Sequence, residues 1–388
     1  MESIISSRIP YSELRIMFDA AQALEQQGRS LVHMELGRPD FNTPEHIVEA
    51  AVSALRNGKH HYCANAGIPE LRNAIAAKYA REYHLEYSPA KEILVTNGVA
   101  EGIFLAISAL LNPGDQILVP DPVWLNYNVV PVMNFVEPIG YTLSKENNFQ
   151  PDPDEIESLI TPRTRMIVLV SPSNPTGGLI SPENSQRIAA LAEKYNLIVL
   201  SDEIYEKVVY SPATFTSFAT LPGMKERTVV VNGFSKYYSM TGWRLGYVLG
   251  PSHLINPMLR YHQYALTSVA TFAQYGAVAA LEGTQEPSIA MVKEFHARRD
   301  YFYKELTGMK GFSCDLPDGA FYLFPNISKT GMSGKEMAAF LLEKAGVVAV
   351  PGDAFGKGGR GHVRFSYACS LDALKTAVKG MHDALASL

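Results

Sequence analysis

The sequence predicts an α/β fold: a large domain with a mostly parallel sheet of about seven strands flanked by helices, plus a smaller α/β domain. Three observations predict it. From residue 92 onward, short β-branched runs alternate with helical stretches, the pattern of strand–helix–strand units. The 388 residues, 47% hydrophobic and 19% charged, are enough for one large and one smaller domain with a substantial core. After residue 308 the texture changes to short strands and two helices.

Residues 1–40 are expected to form an N-terminal arm that packs with the small domain. Within it, 12–27 reads as a helix ended by Gly28. A short strand-like run and a turn follow in LVHMELGRPDFNTPEHI. Thr43 is placed to cap the next helix, with Pro44 at its first position and Glu45 in its first turn. That helix should run to Asn57 and close at Gly58, and 68–83 is a second helix by apolar spacing.

The large domain is assigned to 41–283. Its strand candidates are 93–96, 116–119, 135–141, 166–170, 197–200, 228–231 and 245–249. Helices are expected at 101–111 and 182–195, and 253–281 reads as one helical, apolar stretch. The small domain, 284–388, carries a long amphipathic helix over 287–306 and two more over 333–345 and 371–386. In sheets of this kind ligands gather at the loops beyond the strand ends, so chemistry is sought there.

A net charge of −5 argues against a nucleic-acid or acidic-membrane partner. Cys63, Cys314 and Cys369 lie far apart with no CxxC, which suggests a reducing compartment and neither a disulfide framework nor a metal site. The first residues lack a basic start followed by a long apolar run, so no secretory signal is expected. No apolar run approaches the roughly 18 residues of a membrane span. A cytoplasmic location is the expectation.

The stretch at 232–246, NGFSKYYSMTGWRLG, organises the chemistry. It lies between two apolar strand candidates, which puts Lys236 on a loop at a sheet edge. Ser235 and Arg244 flank it with a hydroxyl and a guanidinium, a pair suited to a phosphate. A lysine beside a phosphate site is what a Schiff-base cofactor needs, one end held covalently and the other clamped. The pattern Ser-Lys, five further positions, Gly-x-Arg-x-Gly resembles the attachment motif of the class I/II pyridoxal-phosphate-dependent aminotransferases, fold type I.

That resemblance implies roles for residues along nearly the whole chain. In LIVLSDEIY, Asp202 matches the acid that faces the pyridine nitrogen and Tyr205 a donor to the cofactor's phenolic oxygen. In SPSNPTGG, Asn174 matches a second donor to that oxygen. In VTNGVAEGIF, a strand, a glycine turn and a helix start, Gly98, Val99 and Ala100 match the turn that binds the phosphate. Trp124 in PDPVWLNY matches an aromatic that stacks on the cofactor ring beside the substrate. Arg364, inside the apolar strand HVRFSYA, has the fork for an α-carboxylate, and Gly37 matches a glycine whose backbone lies along the substrate. Tyr62 resembles a tyrosine that reaches the phosphate of a neighbouring subunit, which implies a homodimer with shared active sites.

The implied activity is transfer of an amino group between an L-amino acid and a 2-oxo acid, ping-pong, through a Lys236 Schiff base, with Lys236, Asp202 and Tyr205 catalytic and pyridoxal 5'-phosphate as cofactor. Some relatives that prefer dicarboxylic substrates carry a lysine where this chain has Ala100, and Arg38 is the substitute considered. Ile9 and Tyr11 of the arm are candidates to cover the site, although the arm lacks the Pro-Ser pattern common in relatives. The same fold and cofactor also serve lyases, decarboxylases and cyclases, and an enzyme of that kind is the alternative.

Overall fold

The computed structural model describes residues 3–386, so the outer ends of the expected arm and small domain lie outside the described residues. The chain begins with α1 (Glu13–Gln26), β1 (Val32–His33), α2 (Glu45–Arg56) and α3 (Pro69–Tyr83). Alternation follows: β2 (Ile93–Thr96), α4 (Val99–Leu110), β3 (Gln116–Asp121), α5 (Asn126–Met133), β4 (Glu137–Thr142) and α6 (Pro153–Leu159). It continues through β5 (Thr164–Val170), α7 (Pro182–Lys194), β6 (Ile198–Asp202), β7 (Thr228–Gly233) and β8 (Gly246–Leu249). Then come α8 (Ser252–Ala265), α9 (Thr271–Glu282) and α10 (Glu286–Thr307). The last part holds β9 (Tyr322–Leu323), α11 (Gly334–Phe340), β10 (Val347–Val348), β11 (Val350–Pro351), β12 (Val363–Ser366) and α12 (Leu371–Leu385).

Seven strands form one sheet in the order β2-β8-β7-β6-β5-β3-β4. Only β8 runs against the others, pairing antiparallel with β2 and β7. The alternation within β5 shows why its sequence reads as continuously apolar. Met166, Val168 and Val170 face a cluster with Ile103 and Ile107 of α4, while Ile167 and Leu169 face Ile188 and Ala192 of α7. Helices therefore cover both faces, as a parallel sheet requires. Two smaller sheets are separate: β1 pairs parallel with β10, and β12 lies between β11 and β9. Around them Phe295 and Phe302 of α10 pack with Phe321, Phe365 and Met381.

Four local expectations are corrected. Thr43 does not cap α2; Pro44 takes that position, and the Thr43 hydroxyl donates to the Ser239 carbonyl at 2.8 Å. The stretch 253–281, expected to be helical, holds two helices with a break after Ala265, where Thr267 adopts φ +73°. Ser and Thr in Leu266–Thr267–Ser268 compete locally for backbone partners, which the apolar count overlooks. The helix expected over 333–345 ends at Phe340 and passes into a π turn closed by Gly346. Finally, α5 and α6 were not expected: Pro131 lies inside the first, and the second is a short helix capped by Asp152 with Pro153 in its first turn.

Among the described residues, no helix is long and apolar enough to cross a membrane, and the three cysteines are free.

Candidate active site

Because β8 alone is reversed, β2, β3, β5, β6 and β7 end on one edge of the large sheet. Beyond that edge lies a cavity of about 270 Å³. Its wall includes eleven of the residues singled out in the sequence: Gly37, Val99, Ala100, Trp124, Asn174, Asp202, Tyr205, Ser235, Lys236, Arg244 and Arg364. They come from the arm, from five strand ends and from β12.

Lys236 sits in the loop between β7 and β8, and its Nζ donates to the Gly37 carbonyl at 2.7 Å. Burial first, then the Arg364 and Arg244 charges, push its amine down to about 8, with Asp202 opposing. Asp202 ends β6, 5% exposed. Burial pushes its carboxyl up to about 6, against a 2.8 Å hydrogen bond from the Tyr127 hydroxyl and a 3.1 Å bond from the Ile204 N–H. The Tyr205 hydroxyl pairs with that of Tyr322 at 2.7 Å.

Arg364 is fully buried without a carboxylate partner among the described residues. Its Nη1 donates to Asn174 Oδ1 at 2.9 Å and its Nη2 to the Glu35 carbonyl at 2.5 Å. The guanidinium stacks 4.5 Å from the Tyr322 ring and 4.8 Å from Phe355, and Nε is buried and unpaired. A buried guanidinium with an open donor and no carboxylate in direct contact is suited to receive an anion. The Asn174 carbonyl is occupied by Arg364, which leaves its amide N–H groups to donate elsewhere.

At the other end of the cavity, α4 begins at the cap residue Gly98, with φ +76°. A Cβ there would lie 2.7 Å from Arg244 Nη2, so only glycine lets the guanidinium approach this turn. The Gly98 N–H is spent on the Thr96 carbonyl at 2.8 Å; the first-turn N–H groups of Val99 and Ala100 have no carbonyl within the helix. Those two donors, Ser235 and Arg244 could cradle a phosphate. An amine, a carboxylate, an anion receptor and a phosphate cradle around one cavity fit pyridoxal phosphate and an amino acid together.

Three residues of this arrangement escape a reading of the sequence. Tyr127 follows Trp124 by one helical turn but carries no motif of its own. Tyr322 lies in the buried run GAFYLF and reads as core. The Glu35 carbonyl is backbone and gives no side-chain signal. Tyr62, Arg38, Ile9 and Tyr11 do not border this cavity. Tyr62 is 88% exposed on the surface of the single chain. Arg38 borders a different hollow of about 720 Å³, beside Phe41, Trp243 and α2.

Comparison with known proteins agrees with this geometry. Residues 29–380 match the family described as Aminotransferase class I and II. Aspartate aminotransferase of Pyrococcus horikoshii is 41% identical over 97% of this chain and 95% of its own. Aromatic-amino-acid aminotransferase 2 of Thermococcus litoralis is 39% identical over 96% of this chain and 95% of its own. The structure of aspartate aminotransferase from Thermus thermophilus with maleate superposes with a TM-score of 0.94 at 37% identity, covering 99% of both chains. Relatives of this kind do not favour the lyase, decarboxylase or cyclase alternative.

Proposed function

The chain belongs to the class I and II aminotransferases, and from that premise we propose how its own residues move an amino group between an amino acid and a 2-oxo acid. The family is pyridoxal-phosphate-dependent, and the cofactor, once bound, supplies an electron sink that lets the amino acid's α-proton leave. The N–H groups of Val99 and Ala100, with Ser235 and Arg244, would hold the phosphate. Asp202 would face the pyridine nitrogen, Tyr205 and Asn174 would donate to the phenolic oxygen, Trp124 would lie against the ring, and Lys236 would be the point of covalent attachment.

Arg364 binds the substrate α-carboxylate through its unpaired Nε edge, and the Gly37 backbone runs beside it. With the cofactor bound, Lys236 Nζ would be the group placed to accept and hand on the substrate's α-proton. An amine near 8 is partly unprotonated close to neutral pH, as that task requires. Beyond the assigned cations the wall offers Leu14, Leu36 and Ala100, with Arg38 in another hollow.

The observation that carries the reading is the convergence of Lys236, Asp202 and Arg364, with its Nε unpaired, on one cavity. Lys236→Ala should abolish turnover of an amino acid with a 2-oxo acid; appreciable catalysis by that variant contradicts the assignment.

The reading extends to assembly and location. A homodimer in which Tyr62 of one subunit reaches the phosphate of the other is supported by the exposure of Tyr62 and Tyr264, each 88%. The large sheet shares no strand with the sheets of β1 and β9–β12, which supports an arm over 1–40, a large domain over 41–283 and a small one over 284–388. Three free cysteines support a cytoplasmic location.

A further inference from the structure

We propose that His262 and Glu101 are positioning residues for the cofactor phosphate, keeping the Val99 and Ala100 N–H groups unclaimed. The inference rests on the reading that the start of α4 takes that phosphate.

Glu101 lies in the first turn of α4, where an acid is ordinarily favoured by the helix dipole. Here the same donors and the same field must serve a phosphate, so a free carboxylate in this turn is a competitor. Its side chain is turned back and tied off at both oxygens. Oε2 accepts from the Asn97 N–H at 2.5 Å, and Oε1 meets His262 Nδ1 at 2.9 Å. Since the carboxylate only accepts, Nδ1 carries the hydrogen.

His262 comes from α8, and its side chain is fully buried. Its Nε2 has no partner among the described residues. An imidazole in such a place costs more than an apolar side chain of similar size, and the bond to Glu101 is its one return. The pair ties the α4 turn, through Glu101, to a helix that lies beyond β8. Glu101 also fixes the N–H of the residue just before the Gly98 cap, so it shapes the turn as well as vacating it. With His262 Nδ1 removed, one carboxylate oxygen loses its donor, and the open donors of the same turn are those of Val99 and Ala100.

The test compares affinity of the cofactor-depleted full chain for pyridoxal 5'-phosphate and for pyridoxal, which lacks the phosphate. Wild type should prefer the phosphorylated form strongly; a wild type without that preference overturns the phosphate reading itself. His262→Phe should weaken pyridoxal 5'-phosphate by about tenfold or more and leave pyridoxal within about twofold. His262→Leu, smaller and equally without a donor, carries the same expectation should the Phe variant fold poorly. His262→Asn, which restores an N–H close to the place of Nδ1, should recover most of the loss, as should Glu101→Gln added to His262→Phe. Equal weakening of both ligands, or no weakening of the phosphorylated one, overturns the proposal.

Discussion

Asp202 is held between two opposing influences. Burial raises its carboxyl to about 6, and the Tyr127 hydroxyl is the foremost group that lowers it. Tyr127→Phe removes the 2.8 Å bond at little cost in volume. The carboxyl then rises further, and less of its negative charge is present near neutral pH. The acid limb of kcat/KM against pH should move to higher pH, with a loss at pH 7 of about tenfold or less. An acid limb left in place would show that Tyr127 does not act through Asp202. The adjoining pair behaves differently, because Tyr205 and Tyr322 each satisfy the other and the Arg364 charge lies against the Tyr322 ring. Gly37 completes that corner: a Cβ there would sit 2.0 Å from the Tyr322 hydroxyl, so the arm can lie this close only as glycine.

At the scale of the element, the end of β6 places two adjacent acids in different surroundings. Asp202 turns to the active site, whereas Glu203 turns into a separate hollow of about 230 Å³. There the Ser201 and Ser217 hydroxyls and the Phe218 N–H all donate to one carboxyl oxygen. Burial, then the charge of Glu206, pushes Glu203 up to about 8. Below its ordinary value of 4.5 both folded and unfolded chains are protonated there, and no stability is lost. Between 4.5 and about 8 the unfolded chain gives up its proton while the folded chain keeps it, so stability falls as pH rises. Glu203→Gln should therefore stabilise the chain by a few kcal/mol near pH 8 and by nothing near pH 4 in denaturant melts. Equal effects at both pH values would contradict this.

The same element shows what could be read in advance. The strand, the carboxylate at its end and Tyr205 were all legible in LIVLSDEIY, because β-branched runs and their polar termini are local features. The partners of those residues were not. Tyr127 and Tyr322 are brought to Asp202 and Tyr205 only by the packing of distant segments, and a tyrosine in an apolar run reads as core. The split between α8 and α9 was hidden for a related reason. Apolar spacing persists across the break, and the change of direction at Thr267 is set by local backbone competition that spacing does not record.

Across the whole molecule, the cavity exists because three remote parts of the chain meet. Gly37 belongs to the segment between β1 and α2, Lys236 to the loop after β7, and Arg364 to a strand of a different sheet. The arm is tied to that later part directly, since Val32 and His33 pair with Val347 and Val348. The cavity is thus bordered by β12 of one sheet and by the strand ends of another. A shift of one side against the other would part Arg364 from Lys236, so amino-group transfer depends on the assembled chain.

The most direct test is a half-reaction: holoenzyme mixed with a nitrogen-labelled amino acid and no oxo acid. The arrangement predicts one 2-oxo acid released per chain, with the labelled nitrogen retained on the enzyme until an added oxo acid carries it away. Release of the label as ammonia, or of carbon dioxide in place of the oxo acid, would contradict amino-group transfer at this site.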